Sequence, residues 1–85
     1  MLNADKEKSL ENKIAALLNK ELSFGFISSK DLIGILTRIY TRLDITTVVK
    51  ATAIEKYFEC KATTKRINDN IIRGYEIYRP KLIFK

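Results

Sequence analysis

The stretch that decides the fold is TTKRINDNIIRGYEIY, residues 63–78. It reads as two short β-strands around a polar turn at Asn68, Asp69 and Asn70, the residue types that best tolerate turn geometry after glycine. β-Branched and aromatic residues fill both flanks, and the hydrophobic period from Cys60 onward is two. Lys65, Arg66 and Arg73 crowd the tip. With a loop at residues 68–70, Lys65 faces Arg73; with a loop at residues 69–70, Arg66 faces Arg73. Both registers set Arg73 against a cation, which costs a strand pair from a few tenths to about 1 kcal/mol. A hairpin kept for structure alone gains from Glu or Thr there. One laid along a phosphate backbone gains from the cations, because each neutralised phosphate releases counterion. Asn68 and Asn70 add hydrogen-bond donors for phosphate or for base edges in the minor groove. The competing account is a solvated edge whose long cations splay into water and block aggregation.

The residues before the hairpin read as helices. Ser9 is a candidate cap for a first helix through about Leu22, with Leu10, Ile14, Leu17 and Leu18 on one face and the polar residues 1–8 expected to be flexible. Phe24 and Phe26 alternate around Gly25, which fits a core-plugging loop or a very short strand. Ser28, with Asp31 three residues later, fits the start of a second helix running to about Leu43, with Ser29 as an alternative cap. Its stripe of Leu32, Ile35, Leu36, Ile39, Tyr40 and Leu43 is broad, as in a helix packed between other elements. Gly34 costs that helix about 1 kcal/mol relative to Ala, which suggests a close helix contact at that point.

Asp44, Thr46 and Thr47 are candidate caps for a third helix over roughly residues 47–58, with Val49, Ala53, Ile54, Tyr57 and Phe58 inward. Thr46, Thr47, Lys50 and Thr52 then surround its N-terminus, a natural phosphate site. No Arg, Asn or Gln stands in its first two turns, so bidentate base-reading pairs are missing from it. The order is helix, short strand, helix, tight turn, helix, strand, turn, strand. It predicts an α+β single domain over residues 1–85, a winged helix-turn-helix of three helices plus a C-terminal β-hairpin wing, whose third helix enters the major groove.

Charge supports a polyanionic partner. The 85 residues hold 16 Lys and Arg against 10 Asp and Glu, a net +6. Residues 1–45 carry seven basic and six acidic residues, and residues 46–85 carry nine and four, so the excess falls in the half with the hairpin. The lone Cys60 forms no intramolecular disulfide, and with no histidine a metal site around it is not expected. A polar N-terminus and short apolar runs predict no signal peptide, no membrane span and a cytoplasmic protein.

Over residues 54–77, IEKYFECKATTKRINDNIIRGYEI, the chain resembles the small C-terminal winged-helix modules of phage and plasmid primase-helicases and related mobile-element replication proteins. The shared features are the aromatic pair Tyr57 and Phe58, the basic run from Lys61 to Arg66, the turn at Asn68, and Gly74 followed by Tyr75. Asp69 stands where such a turn usually has glycine. The resemblance implies an accessory DNA-binding domain in replication or transcription regulation, working beside a catalytic domain of a larger parent protein.

The expected nucleic-acid contacts are therefore Thr46, Thr47, Lys50 and Thr52 at the helix and Lys65, Arg66, Asn68, Asn70 and Arg73 in the wing. The expected partner is DNA, duplex ahead of single-stranded, with Tyr75 or Tyr78 as stacking platforms in the single-strand case. Catalysis is not expected: there is no histidine, no spaced acid–base pair and no Gly-rich phosphate loop, with Gly25, Gly34 and Gly74 isolated. No cofactor, membrane or small-molecule substrate is expected either. The rival reading is a winged-helix protein-interaction module, with Tyr40, Tyr75, Tyr78, Phe84 and the KLIF tail as a partner patch.

Overall fold

The computed structural model describes the backbone of residues 2–81 and the side chains of residues 10–81. The described chain has three helices and a three-stranded antiparallel sheet. Helix α1 spans Leu2–Glu21, strand β1 Gly25–Ser28 and helix α2 Ser29–Arg42. A 3-10 turn, Ala51–Ala53, leads into a one-turn helix α3, Ile54–Tyr57. Strands β2, Phe58–Ile67, and β3, Asn70–Pro80, form the hairpin. The sheet order is β1-β3-β2, so the returning strand is central and the first strand closes its other side. The 82–85 part of the KLIF tail, with Phe84, lies outside the described residues.

Helix α1 starts before Ser9, which lies inside the helix and does not cap it. The preceding run holds Ala4, Lys6, Glu7 and Lys8, all good helix formers, and no Gly or Pro to stop it. Helix α2 starts as its sequence predicts: the Ser28 hydroxyl accepts a hydrogen bond from the Asp31 N–H at 3.1 Å. Its end is a Schellman motif. Asp44 takes φ +58°, its N–H bonds the Thr41 carbonyl at 3.2 Å, and the Ile45 N–H bonds the Tyr40 carbonyl at 2.8 Å. Asp44 therefore terminates α2 and is not the cap of a third helix. Gly34 makes no close helix contact, since a Cβ there would meet nothing within 4 Å.

The core gathers Ile14 and Leu18 of α1, Leu32, Leu36 and Ile39 of α2, Ile54 and Tyr57 of α3, and Phe58, Tyr75 and Ile77 of the sheet. The sheet thus turns one face to the helices. Gly74 locks β3 against β1: a Cβ there would lie 2.1 Å from the Ile27 carbonyl oxygen and 2.8 Å from the Phe26 ring. Phe26 covers this glycine on the face away from the helices, while Phe24 stays exposed. Phe26 lies in the short strand and Phe24 just before it, and neither phenylalanine belongs to the buried core. At the far end of the hairpin base, pairing steps from Cys60↔Ile77 to Glu59↔Arg79, leaving Tyr78 as an extra, exposed residue in a bulge.

Candidate nucleic-acid interface

The hairpin closes in neither predicted loop: it has the two-residue length of the second, shifted one residue toward the N-terminus. Ile67 pairs with Asn70, leaving Asn68 and Asp69 alone in the loop, at φ +49° and +66°. Two successive left-handed residues make a type I′ turn, which matches the right-handed twist of the strands, and Asn and Asp are the side chains that enter this region at least cost. Asn70 consequently opens β3 and lies outside the turn.

This register changes the charge pattern. Arg73 faces Thr64, Lys65 faces Ile72 and Arg66 faces Ile71. No cation directly opposes Arg73, so the expected repulsion does not arise and cannot explain why these residues are present. The remaining like-charge relation is diagonal: Arg66 and Arg73 lie on the helix-side face at roughly 7–8 Å by strand geometry. Lys65 lies on the opposite face, its ammonium 5.6 Å from the Phe26 ring centroid, within cation–π range. Lys61 shares that face and pairs in register with Glu76.

Beyond Gly74, the last residue paired to β1, the hairpin continues for four rungs, from Thr64↔Arg73 to Ile67↔Asn70. That is an arm of about 13 Å in which, among the described residues, the two strands pair only with each other. Lys65, Arg66, Asn68, Asn70 and Arg73 all lie exposed on it. The described residues form ion pairs between Arg38 and Glu21, Lys56 and Glu11, and Arg79 and Glu59, none of which involves the arm. Its one acidic residue is Asp69 in the turn. Arg79, by contrast, is committed at the base, donating to both Glu59 oxygens at 2.8 and 3.3 Å, which raises its pKa further.

The second predicted cluster is placed differently. Residues 43–50 are not helical, and the first helical turn after them is the 3-10 turn Ala51–Ala53. Thr46 and Thr47 are exposed loop residues, Lys50 precedes the 3-10 turn, and Thr52 sits within it. The physical cause is the β-branched run Ile45, Thr46, Thr47, Val48 and Val49, whose side chains crowd a helical turn. A helical N-terminus for phosphate does not form there. Thr47, Lys50 and Thr52 instead line a shallow groove with Tyr40, Val48 and Lys56. Arg73 lines another, with Ser29, Thr63, Thr64, Gly74 and Tyr75 at the foot of the arm. No described groove is lined by members of both clusters.

The short α3 also presents acid rather than base beside the sheet. Glu55 accepts the Tyr75 hydroxyl at 3.1 Å, and its backbone carbonyl accepts Lys81 Nζ at 2.6 Å. Burial and this bond to Glu55 raise the Tyr75 pKa. Tyr75 is thus a core residue with a tethered hydroxyl and offers no face for stacking, while Tyr78 on the bulge is exposed. Cys60 is half-buried. Burial and the Glu55 charge raise its thiol pKa against a smaller opposing effect of Lys81, the reverse of what an activated nucleophile needs.

Exposed Ile71 and Ile67 at the arm tip escaped the sequence reading; only the register places them on opposite faces beside the cations. Among the described residues, no helix is long and apolar enough to cross a membrane. Comparison with models of known protein families, with curated protein sequences and with solved structures finds no match.

Proposed function

We propose that this chain is a winged-helix DNA-binding domain whose principal contact is the hairpin arm. The element order and the β1-β3-β2 sheet support the winged-helix reading, with the hairpin as wing. The observation that carries the DNA reading is the arm itself, with Lys65, Arg66 and Arg73 exposed on a free-standing four-rung ladder, and with Asn68 and Asn70 at its end. Three exposed cations against one acid make a local positive field that attracts phosphate. The third helix is a minor contributor here: one 3-10 turn and one α turn are too short to fill a major groove. Thr46, Thr47, Lys50 and Thr52 act at most as peripheral phosphate contacts. Recognition is then dominated by phosphates, with modest sequence preference.

The role implied by the resemblance is that of an accessory module beside the catalytic domain of a larger replication protein. The alternative, a protein-interaction domain, draws support from the outer edge of β2, which has no strand partner among the described residues and can accept one. A fluorescence-anisotropy titration with duplex and single-stranded DNA at two salt concentrations separates the readings. DNA binding by the arm predicts affinity that falls steeply with salt, and loss of that affinity in Arg66→Ser/Arg73→Ser with unchanged melting. Absence of binding at low salt contradicts it and favours the protein partner.

A further inference from the structure

The two isoleucines at the arm tip lie outside the buried core. Ile71 is 75% exposed and Ile67 39% exposed, on opposite faces of the hairpin. Ile71 shares the helix-side face with Arg66, Thr64 and Arg73, and Ile67 shares the other with Asn70, Lys65 and Ile72. One face of the tip therefore sets Ile71 beside two cations, and the other sets Ile67 beside one. A solvated edge kept only for solubility would carry polar residues there. The tip is also narrow. The two-residue turn closes the strands at once, and no third strand flanks residues 70–73 among the described residues.

We infer that the arm tip is a wedge for interrupted base stacks, so that the favoured ligand is DNA at a single-strand–duplex junction. This inference rests on the DNA-binding reading of the arm. Apolar side chains of this size enter base steps by unstacking them, which costs several-fold to many-fold in affinity at each intact step. At a junction one side of the terminal pair is already open, and that cost disappears. Ile71 packs on the exposed face of the terminal base pair. Arg66 and Arg73 beside it take the phosphates of one departing strand, and Lys65 on the opposite face takes those of the other. Burying one isoleucine against a base pair is worth roughly tenfold to a hundredfold in affinity.

The test is anisotropy at fixed salt with three labelled probes of equal nucleotide content: a duplex closed by a short hairpin loop at each end, a fork with two single-stranded arms, and a single strand. The wild-type chain is expected to bind the fork about tenfold or more tighter than either other probe. Ile71→Ser should abolish this preference while leaving duplex affinity and its salt dependence unchanged, and Ile71→Leu should retain it. A 2-aminopurine at the junction should brighten with wild type and stay quenched with Ile71→Ser. Equal wild-type affinity for fork and duplex, with steep salt dependence, overturns the wedge and leaves the phosphate-binding arm standing. Equal losses on all probes in Ile71→Ser overturn it too. Failure to bind any probe overturns both readings.

Discussion

The arm and the segment leading into α3 were expected to form one DNA-binding face, yet they differ in how firmly local chemistry fixes them. In the arm, strand propensity, turn chemistry and alternation agree. Thr63, Thr64, Ile67, Ile71 and Ile72 favour extended backbone, and Asn68 with Asp69 accept the left-handed turn. In residues 43–57 two signals conflict. Apolar spacing at Val49, Ala53 and Tyr57 asks for a helix, while five successive β-branched residues oppose one. The compromise is a loop, a 3-10 turn and a single α turn. Apolar positions alone thus marked the inward residues of α3 correctly, with Ile54, Tyr57 and Phe58 all buried, but not the helix length. A phosphate site that depends on a well-formed helix is lost with the length, whereas a charged hairpin keeps its cations in any register.

Breaking the arm at its root gives the largest effect. Gly74→Ala drives a methyl into the Ile27 carbonyl, an atom of the backbone that cannot step aside. We expect a loss of about 3 kcal/mol or more in urea unfolding, with β1 detaching from β3. Near-normal stability would mean that the arm is not anchored as described.

A direct contest between the two regions follows. Arg66→Ser/Arg73→Ser should reduce the slope of log affinity against log salt by about 2, and Thr47→Ala/Lys50→Ser by about 1 or less. The reverse ranking would restore the α3 segment as the main contact.

Alkali should loosen the α3 segment through its anchor. Burial, then Tyr40 and Glu11, push the Tyr57 pKa from 10.0 up to about 12. A raised tyrosine pKa means the fold favours the neutral phenol. That contribution is complete below pH 10 and is lost as pH rises through the folded value near 12. Stability measured by urea melts should fall across this window, with Tyr75 acting in the same direction, and Tyr57→Phe should flatten the decline.

The smallest effect lies outside both regions. Gly34→Ala should stabilise α2 by about 1 kcal/mol, because the new methyl meets nothing and the helix interior loses a flexible residue. DNA affinity should not change. Destabilisation would reveal a helix contact that the open surroundings of Gly34 exclude.

Much of the architecture was legible in the residues. Element order, the Ser28 cap and the hairpin followed from periodicity and turn chemistry, as did the inward stripe of α2. The register was not legible to one residue, because the triplet Asn68, Asp69 and Asn70 allows several closures, and a shift of one residue reassigns every cross-strand pair. That shift decided whether Arg73 met a cation or Thr64. The β1–β3 pairing was also hidden, since it depends on Phe26 lying over Gly74, a contact between residues distant in sequence. Of the candidate site, the five arm residues share the hairpin, with Arg66 and Arg73 on one face, Lys65 and Asn70 on the other and Asn68 in the turn. The four α3-side residues form a separate cluster because their helix does not extend to them.

The central claim is that the arm rather than the α3 segment meets DNA. The most direct measurement is a titration of unlabelled fork DNA into the nitrogen-15-labelled chain, followed by amide NMR. The account predicts large shifts over residues 65–73 with small ones over residues 46–52. Shifts concentrated over residues 46–56, or none at all, would contradict it.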